Sequence, residues 1–225
     1  MIRLNTLQEF LQRIYGLYLE HRVEDFLVTD PDLASELDRS PNPRQIKEKL
    51  LVLQEGDELA IALYLDRSVV EKLEEDRSTG ILHHDNIAEF LLALEGISHF
   101  VCLVWNAGRR RGVSLLELEM QAEIDKFIAL SSIIARQRTH LEPKGLRKWL
   151  FDEPRFDESL DDEQRRRYME ANHFAGKYCC HLERRHWNRG PRRLGHELLG
   201  DLRRFYRLSQ ADKISLIHRE YVPAI

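Results

Sequence analysis

The side chains whose type and spacing could carry chemistry fall into three groups. The first is thiol and imidazole: Cys179-Cys180-His181, with His173 and His186 on either side. A structural metal needs about four such ligands converging on one point. On a helix, neighbouring residues point about 100° apart, so Cys179 and Cys180 diverge, and no C-x-x-C partner exists elsewhere in the chain. His173 and Cys180 share a face but supply only two ligands. Glu170-x-x-His173 and Glu183-x-x-His186 have the form of the carboxylate–histidine units of di-iron bundles, which must face one another from different helices. Here both fall on one helix and read as surface ion-pairing residues. His83-His84 has no third ligand at a fixed spacing. No G-x-S-x-G elbow supports a nucleophilic serine, and Glu117 and Glu119 do not face each other as a paired acid and base would. The expectation is no metal, no cofactor and no assignable catalytic residue.

The second group is Arg109-Arg110-Arg111-Gly112, followed by Ser114. Ser114 with Glu117 three residues on is a capping box, so the arginines immediately precede a helix N-terminus. Unpaired N–H groups and the helix dipole favour anions there. Arg109, Arg110, Arg111 and Ser114 are therefore the candidate phosphate or carboxylate ligands, and a phosphate-handling enzyme centred on them is one functional reading. The competing account is a solvated turn whose arginines meet Glu117 or other acidic residues. The chain has no GxxxxGK[ST], so the loop is not a P-loop.

The third group is basic. Residues 165–225 carry 14 Lys and Arg against 6 Asp and Glu, whereas the remainder carries 20 against 32. Arg184, Arg185, Arg192 and Arg193 cluster around Trp187, and Arg203, Arg204 and Arg207 follow on one side of a leucine-rich helix. Guanidinium rows beside an exposed tryptophan suit phosphate contact and base stacking, which gives a nucleic-acid-binding reading. No helix-turn-helix, zinc-finger or RNP pattern accompanies it. A basic end docked on the acidic remainder explains the same asymmetry without a partner.

These residues are positioned by elements that the periodicity outlines. His99 to Trp105, apolar and rich in β-branched and aromatic residues between Gly96 and Asn106-Ala107-Gly108, reads as a buried central strand. A helix with Leu116, Met120, Ile124, Phe127 and Ile128 on its inner face should run from Ser114 to about Gln137. Upstream, the pattern predicts a helix from Thr6 to near Glu20, a strand at Val23–Val28, and a hairpin of 49–54 and 58–65 turning at Gly56. Short helices capped by Asp66 and Asp85 follow, the second ending at Gly96. Downstream come a short helix at 146–151, a long helix from Asp161 to Trp187, a leucine-rich helix through Tyr206 and a last one opened by Ser209 and Asp212. The class is α+β: a small, mostly antiparallel sheet with packed helices over 1–137, then an all-helical basic region over 138–225.

With 225 residues, a net charge of −4 and three cysteines, and a mean hydropathy of −0.47, the chain reads as soluble and cytoplasmic. An odd cysteine count argues against a disulfide scaffold, Met1-Ile2-Arg3-Leu4-Asn5 has no signal-peptide core, and no membrane partner is expected. The absence of a complete catalytic constellation makes a non-enzymatic binding, adaptor or regulatory protein the leading expectation. Its partner would be a protein or a second copy, met through helical surfaces.

Overall fold

The structure is a computed structural model, which describes residues 4–39, 46–75, 82, 85–137, 143–152, 154, 160–187 and 194–220. It is α+β, with a three-stranded mixed sheet and a helical C-terminal part. The chain divides into two compact units, Met1–Arg13 with Leu17–Trp105, and Ile14–Gly16 with Asn106–Ile225. The boundary expected at 137 does not coincide with this division, because the helix ending there packs inside the second unit.

The first unit begins with α1 (Leu4–Tyr15). Leu4, Leu7 and Leu11 recur at helical spacing and are buried. Gly16, at φ +60°, stops the helix short of the expected Glu20, and the Leu17 N–H donates back to the Gln12 carbonyl at 2.8 Å, a Schellman closure. The strand expected at 23–28 is a 3-10 turn (Val23–Phe26) leading into a two-residue strand, β1 (Leu27–Val28). Asp30 caps α2 (Pro31–Leu37), accepting from the N–H groups of Asp32 and Leu33 at 2.9 and 3.1 Å, with Pro31 in the first turn.

The expected hairpin is present as β2 (Glu48–Glu55) and β3 (Glu58–Leu65), turning through Gly56 and Asp57. It pairs from Glu48↔Leu65 to Glu55↔Glu58, while β1 runs parallel to β3 only at Leu27↔Leu63 and Val28↔Tyr64. The sheet order β1-β3-β2 leaves β2 at an edge. Ala34 of α2 packs with Leu51, Tyr64 and Val28 on one side of the sheet. Asp66 accepts from the Ser68 N–H at 2.9 Å ahead of α3 (Arg67–Glu75).

The central strand expected at 99–105 is not a strand. These residues lie inside α4 (Ile87–Ala107), which also runs straight through Gly96. A short apolar run buried on every side reads the same way in either conformation. Gly96 persists mid-helix because the sheet comes too close for a side chain: a Cβ there would lie 2.8 Å from Leu63 Cδ1. Phe90, Leu94, Ile97 and Phe100 of α4 are fully buried. Among the described residues α4 is the helix long and apolar enough to cross a membrane, and more than half of its apolar stretch is buried in the fold.

In the second unit, α5 (Leu115–Gln137) begins and ends where expected. It is buried on nearly all sides from Glu117 to Ser132 and packs mainly on α7 (Asp162–His186), with α6 (Pro143–Phe151) against both. A capping box of Asp161 and Gln164 opens α7. α8 (His196–Tyr206) and α9 (Gln210–Glu220) complete the unit, and Ser209 caps α9 by accepting from the Asp212 N–H at 3.2 Å. Stacked rings fasten α8: Tyr178 on Phe205 at 3.8 Å and Tyr15 on Tyr206 at 4.2 Å between centroids.

Candidate functional site

The arginine loop is a wrapped helix end. The N–H groups of Arg109, Arg110 and Arg111 return to carbonyls of Asn106 and Ala107, and Arg110 adopts φ +52°. Ser114 caps α5 as expected, accepting from the Glu117 N–H at 3.0 Å while its hydroxyl donates to Gln210. The Glu117 side chain does not close the box. It turns inward to Arg111 at 2.6 Å and Lys213 at 2.8 Å. Arg111 also donates to the carbonyls of Leu208 at 2.7 Å and Arg207 at 3.4 Å. Arg111 is thus committed to a carboxylate and two carbonyls, and the loop's inner guanidinium is not offered to an external anion. Arg109 and Arg110 are exposed.

Deeper in this unit, the Tyr15 hydroxyl donates to Asp125, and Gln121 donates to the Tyr15 oxygen at 2.9 Å and to Asp125 at 3.0 Å. All three are buried. Burial first, and then the Asp125 charge, push the Tyr15 phenol well above its ordinary value of 10. A phenol held protonated beside a carboxylate, both of them buried, acts as a structural polar core.

The basic surface is dispersed. Trp187, expected to be exposed for stacking, is buried at 7% exposure against Phe127, with ring centroids 5.9 Å apart. The large apolar ring finds a core that its charged neighbours conceal in the sequence. Arg203 donates to the Ile14 carbonyl at 3.1 Å, and Arg207 donates to Tyr15 and Gly16 at 2.9 and 3.1 Å. These guanidiniums satisfy the open carbonyl end of α1. Arg185 and His186 both reach Asp201, at 3.2 and 2.9 Å. Arg184 and Arg204 are exposed, and Arg192 and Arg193 lie outside the described residues, as do His83 and His84. Of the two Glu-x-x-His units, Glu183-x-x-His186 forms ion pairs with residues outside it: Glu183 meets Arg147 at 3.2 Å and His186 meets Asp201 at 2.9 Å. Cys179 is buried and Cys180 half-buried, as their divergence requires.

The first unit holds a grouping that the sequence reading missed. His99, on α4 and 6% exposed, has its Nδ1 3.4 Å from Glu48 Oε1 at the base of β2. Glu95, one turn earlier on α4, brings a carboxylate oxygen within 4.8 Å of a His99 ring nitrogen. The signal was present as Glu95-x-x-x-His99. It was hidden because the stretch from His99 reads as a strand, in which residues four apart do not meet as they do on a helix. The chain matches no protein-family model, no curated protein and no solved structure. Any functional reading therefore rests on geometry.

Proposed function

We propose that this protein is a binding or adaptor protein whose contact element is the outer half of the β2–β3 hairpin. The observation that carries this reading is the exposure of Val52 and Leu53, at 44% and 41%, on adjacent positions of an edge strand. Adjacent strand residues face opposite sides, so both faces of the hairpin are bare apolar surface there. β1 pairs only with Leu63 and Tyr64, which leaves the outer edge of residues 58–62 without a strand among the described residues. Open N–H and C=O groups beside apolar side chains make an edge on which a further strand can add. The hairpin tip is acidic, with Glu55, Asp57 and Glu58 all exposed. The fitting occupant is an extended segment of another protein, apolar at alternate positions and basic where it passes the tip. The expected helical surfaces expose Trp149 and Met169, but they offer no backbone groups with which to fix a partner's register. Three free cysteines fit a reducing, cytoplasmic setting.

Phage-displayed random peptides, panned on the wild-type chain and on Val52→Arg/Leu53→Arg, test the reading. It predicts enrichment of alternating apolar peptides bearing Lys or Arg on the wild type, and none on the variant. Enrichment that survives the double substitution, or none on either chain, overturns it. So does a wild-type dimer in light scattering that the substitution dissolves, because the hairpin would then serve self-association.

A further inference from the structure

One side of α9, in the second unit, carries a cleft of about 620 Å³ lined by Ala211, Ile214, Ser215, His218 and Arg219. These positions recur three and four apart, so they share one face of the helix. The volume lies in the range of small-molecule sites. We propose that this cleft binds an amphiphilic carboxylate, with its apolar tail along Ala211 and Ile214 and its acid head among Ser215, His218 and Arg219. This is independent of the binding proposal above, which concerns the first unit alone.

Three observations point to an anion with a tail. The first is that the lining is graded. Its apolar members come first along α9, and its three polar members follow within about one turn. All three can donate hydrogen bonds, and no acidic residue lines the cleft. Asp212, close in sequence to the apolar end, is turned to the start of the helix, where the Ser209 hydroxyl donates to it at 2.6 Å. A hydroxyl, an imidazole and a two-pronged guanidinium together match the roughly four acceptor sites of a carboxylate.

The second observation is that these donors are accessible. Ser215, His218 and Arg219 are exposed, and no hydrogen bond or ion pair ties their side chains to another described residue. The third is the charge gathered behind the cleft. The His218 ring stands edge-on to Phe174 of α7, with centroids 5.7 Å apart, and His173 meets the same ring, also at 5.7 Å. Two imidazoles thus share one phenylalanine, itself buried. Partial desolvation, then the charges of Lys177 and His218, hold His173 below its ordinary 6.5, with Glu170 opposing. A carboxylate seated against His218 relieves that crowding, whereas a cation would add to it.

Octanoate is the probe, with octanol and octylammonium as neutral and cationic controls of the same chain length. Backbone amide shifts of the isotope-labelled full chain follow each titration. The expected result is saturable shifts on α9 and around Phe174, with a Kd on the order of 1 mM for so small a ligand. Octanol should bind about 10-fold more weakly, and octylammonium not at all. Arg219→Gln should weaken octanoate binding about 10-fold. Ser215→Trp, which fills the cleft and spares both cations, should abolish it. Arg204→Gln removes an exposed arginine of α8 and should bind as wild type. Arg219 is exposed, so its conservative variant keeps the test decisive if Ser215→Trp disturbs the amide shifts of α5 and α7. No shift with octanoate overturns the proposal. Equal binding of octanol overturns it too, leaving a plain apolar face. Shifts that never saturate, or that survive both Arg219→Gln and Ser215→Trp, mean charge pairing elsewhere on the basic surface and overturn it equally.

Discussion

Neutralising the two ends of the Lys213–Glu117 pair should cost very different amounts. Both side chains are inaccessible, at 1% and 3% exposure, and their charged atoms are 2.8 Å apart. Glu117 also holds Arg111 at 2.6 Å, so one carboxylate serves two cations. At an effective dielectric of about 20, each pair is attracted by roughly 6 kcal/mol before desolvation, which takes back most of it. Glu117→Gln strands a fully buried ammonium, and breaking a buried pair in this way costs about 3–5 kcal/mol. Lys213→Met keeps the length and apolar stem of the side chain and leaves Glu117 still held by Arg111. Its cost is the lost cation–π contact with Phe205 and Tyr206, whose centroids lie 5.6 and 5.7 Å away, or about 1–2 kcal/mol. Urea unfolding followed by tryptophan fluorescence measures both. Glu117→Gln should be the less stable variant by about 2 kcal/mol or more. Equal losses, or a larger loss in Lys213→Met, would refute the claim that Glu117 is the shared anion.

Three further outcomes follow from the same geometry. Tyr15→Phe removes the donor to buried Asp125 and should cost about 1.5–3 kcal/mol in the same assay. Because the folded-state pKa of Tyr15 lies above its unfolded value, its contribution is complete below about pH 10 and is lost as pH rises beyond. Thermal melts between about pH 9 and 11.5 should therefore fall more steeply in wild type than in Tyr15→Phe, and parallel slopes would argue against it. Cys102 and Cys179 are about 1% exposed or less, and burial, then Glu123, pushes the Cys179 thiol up. Ellman's reagent should thus react promptly with Cys180 alone, and rapid labelling of all three thiols would contradict the packing. Gly96→Ala gains about 1 kcal/mol of helix propensity but overpacks fully buried Leu63, at about 1–3 kcal/mol. A net loss in urea midpoint is expected, and a net gain would show that the sheet yields there.

What could be read from the sequence was what is decided locally. Ser114, Asp161 and Ser209 cap helices because a short side chain reaches an N–H only three residues away. The hairpin announced itself through Gly56 and flanking β-branched residues. The long apolar run in α4 did not, since helix and strand are indistinguishable where every face is covered, and the turn signal of Gly96 was in truth a packing requirement set by Leu63 and Glu48. The same error concealed Glu95 and His99 as neighbours. The fate of Trp187 and of Arg203 and Arg207 depended on elements far away in sequence, which composition cannot see. Charge clustering suggested a nucleic-acid surface, yet two of those arginines are occupied with main-chain carbonyls.

The grip of Arg203 and Arg207 on the end of α1 also has a bearing on how the chain assembles. Ile14 and Arg203 are separated by 189 positions, and the larger segment of the first unit, Leu17–Trp105, falls in sequence between the two segments of the second. Closing a loop of that size costs about 4–5 kcal/mol of chain entropy before any contact repays it. On the ribosome, residues 14–16 emerge early and wait for α8, exposing Ile14 and Tyr15 in the meantime. The second unit therefore cannot finish folding as an independent product of its own segment, and trimming the first 16 residues would injure the helices at the far end of the polypeptide.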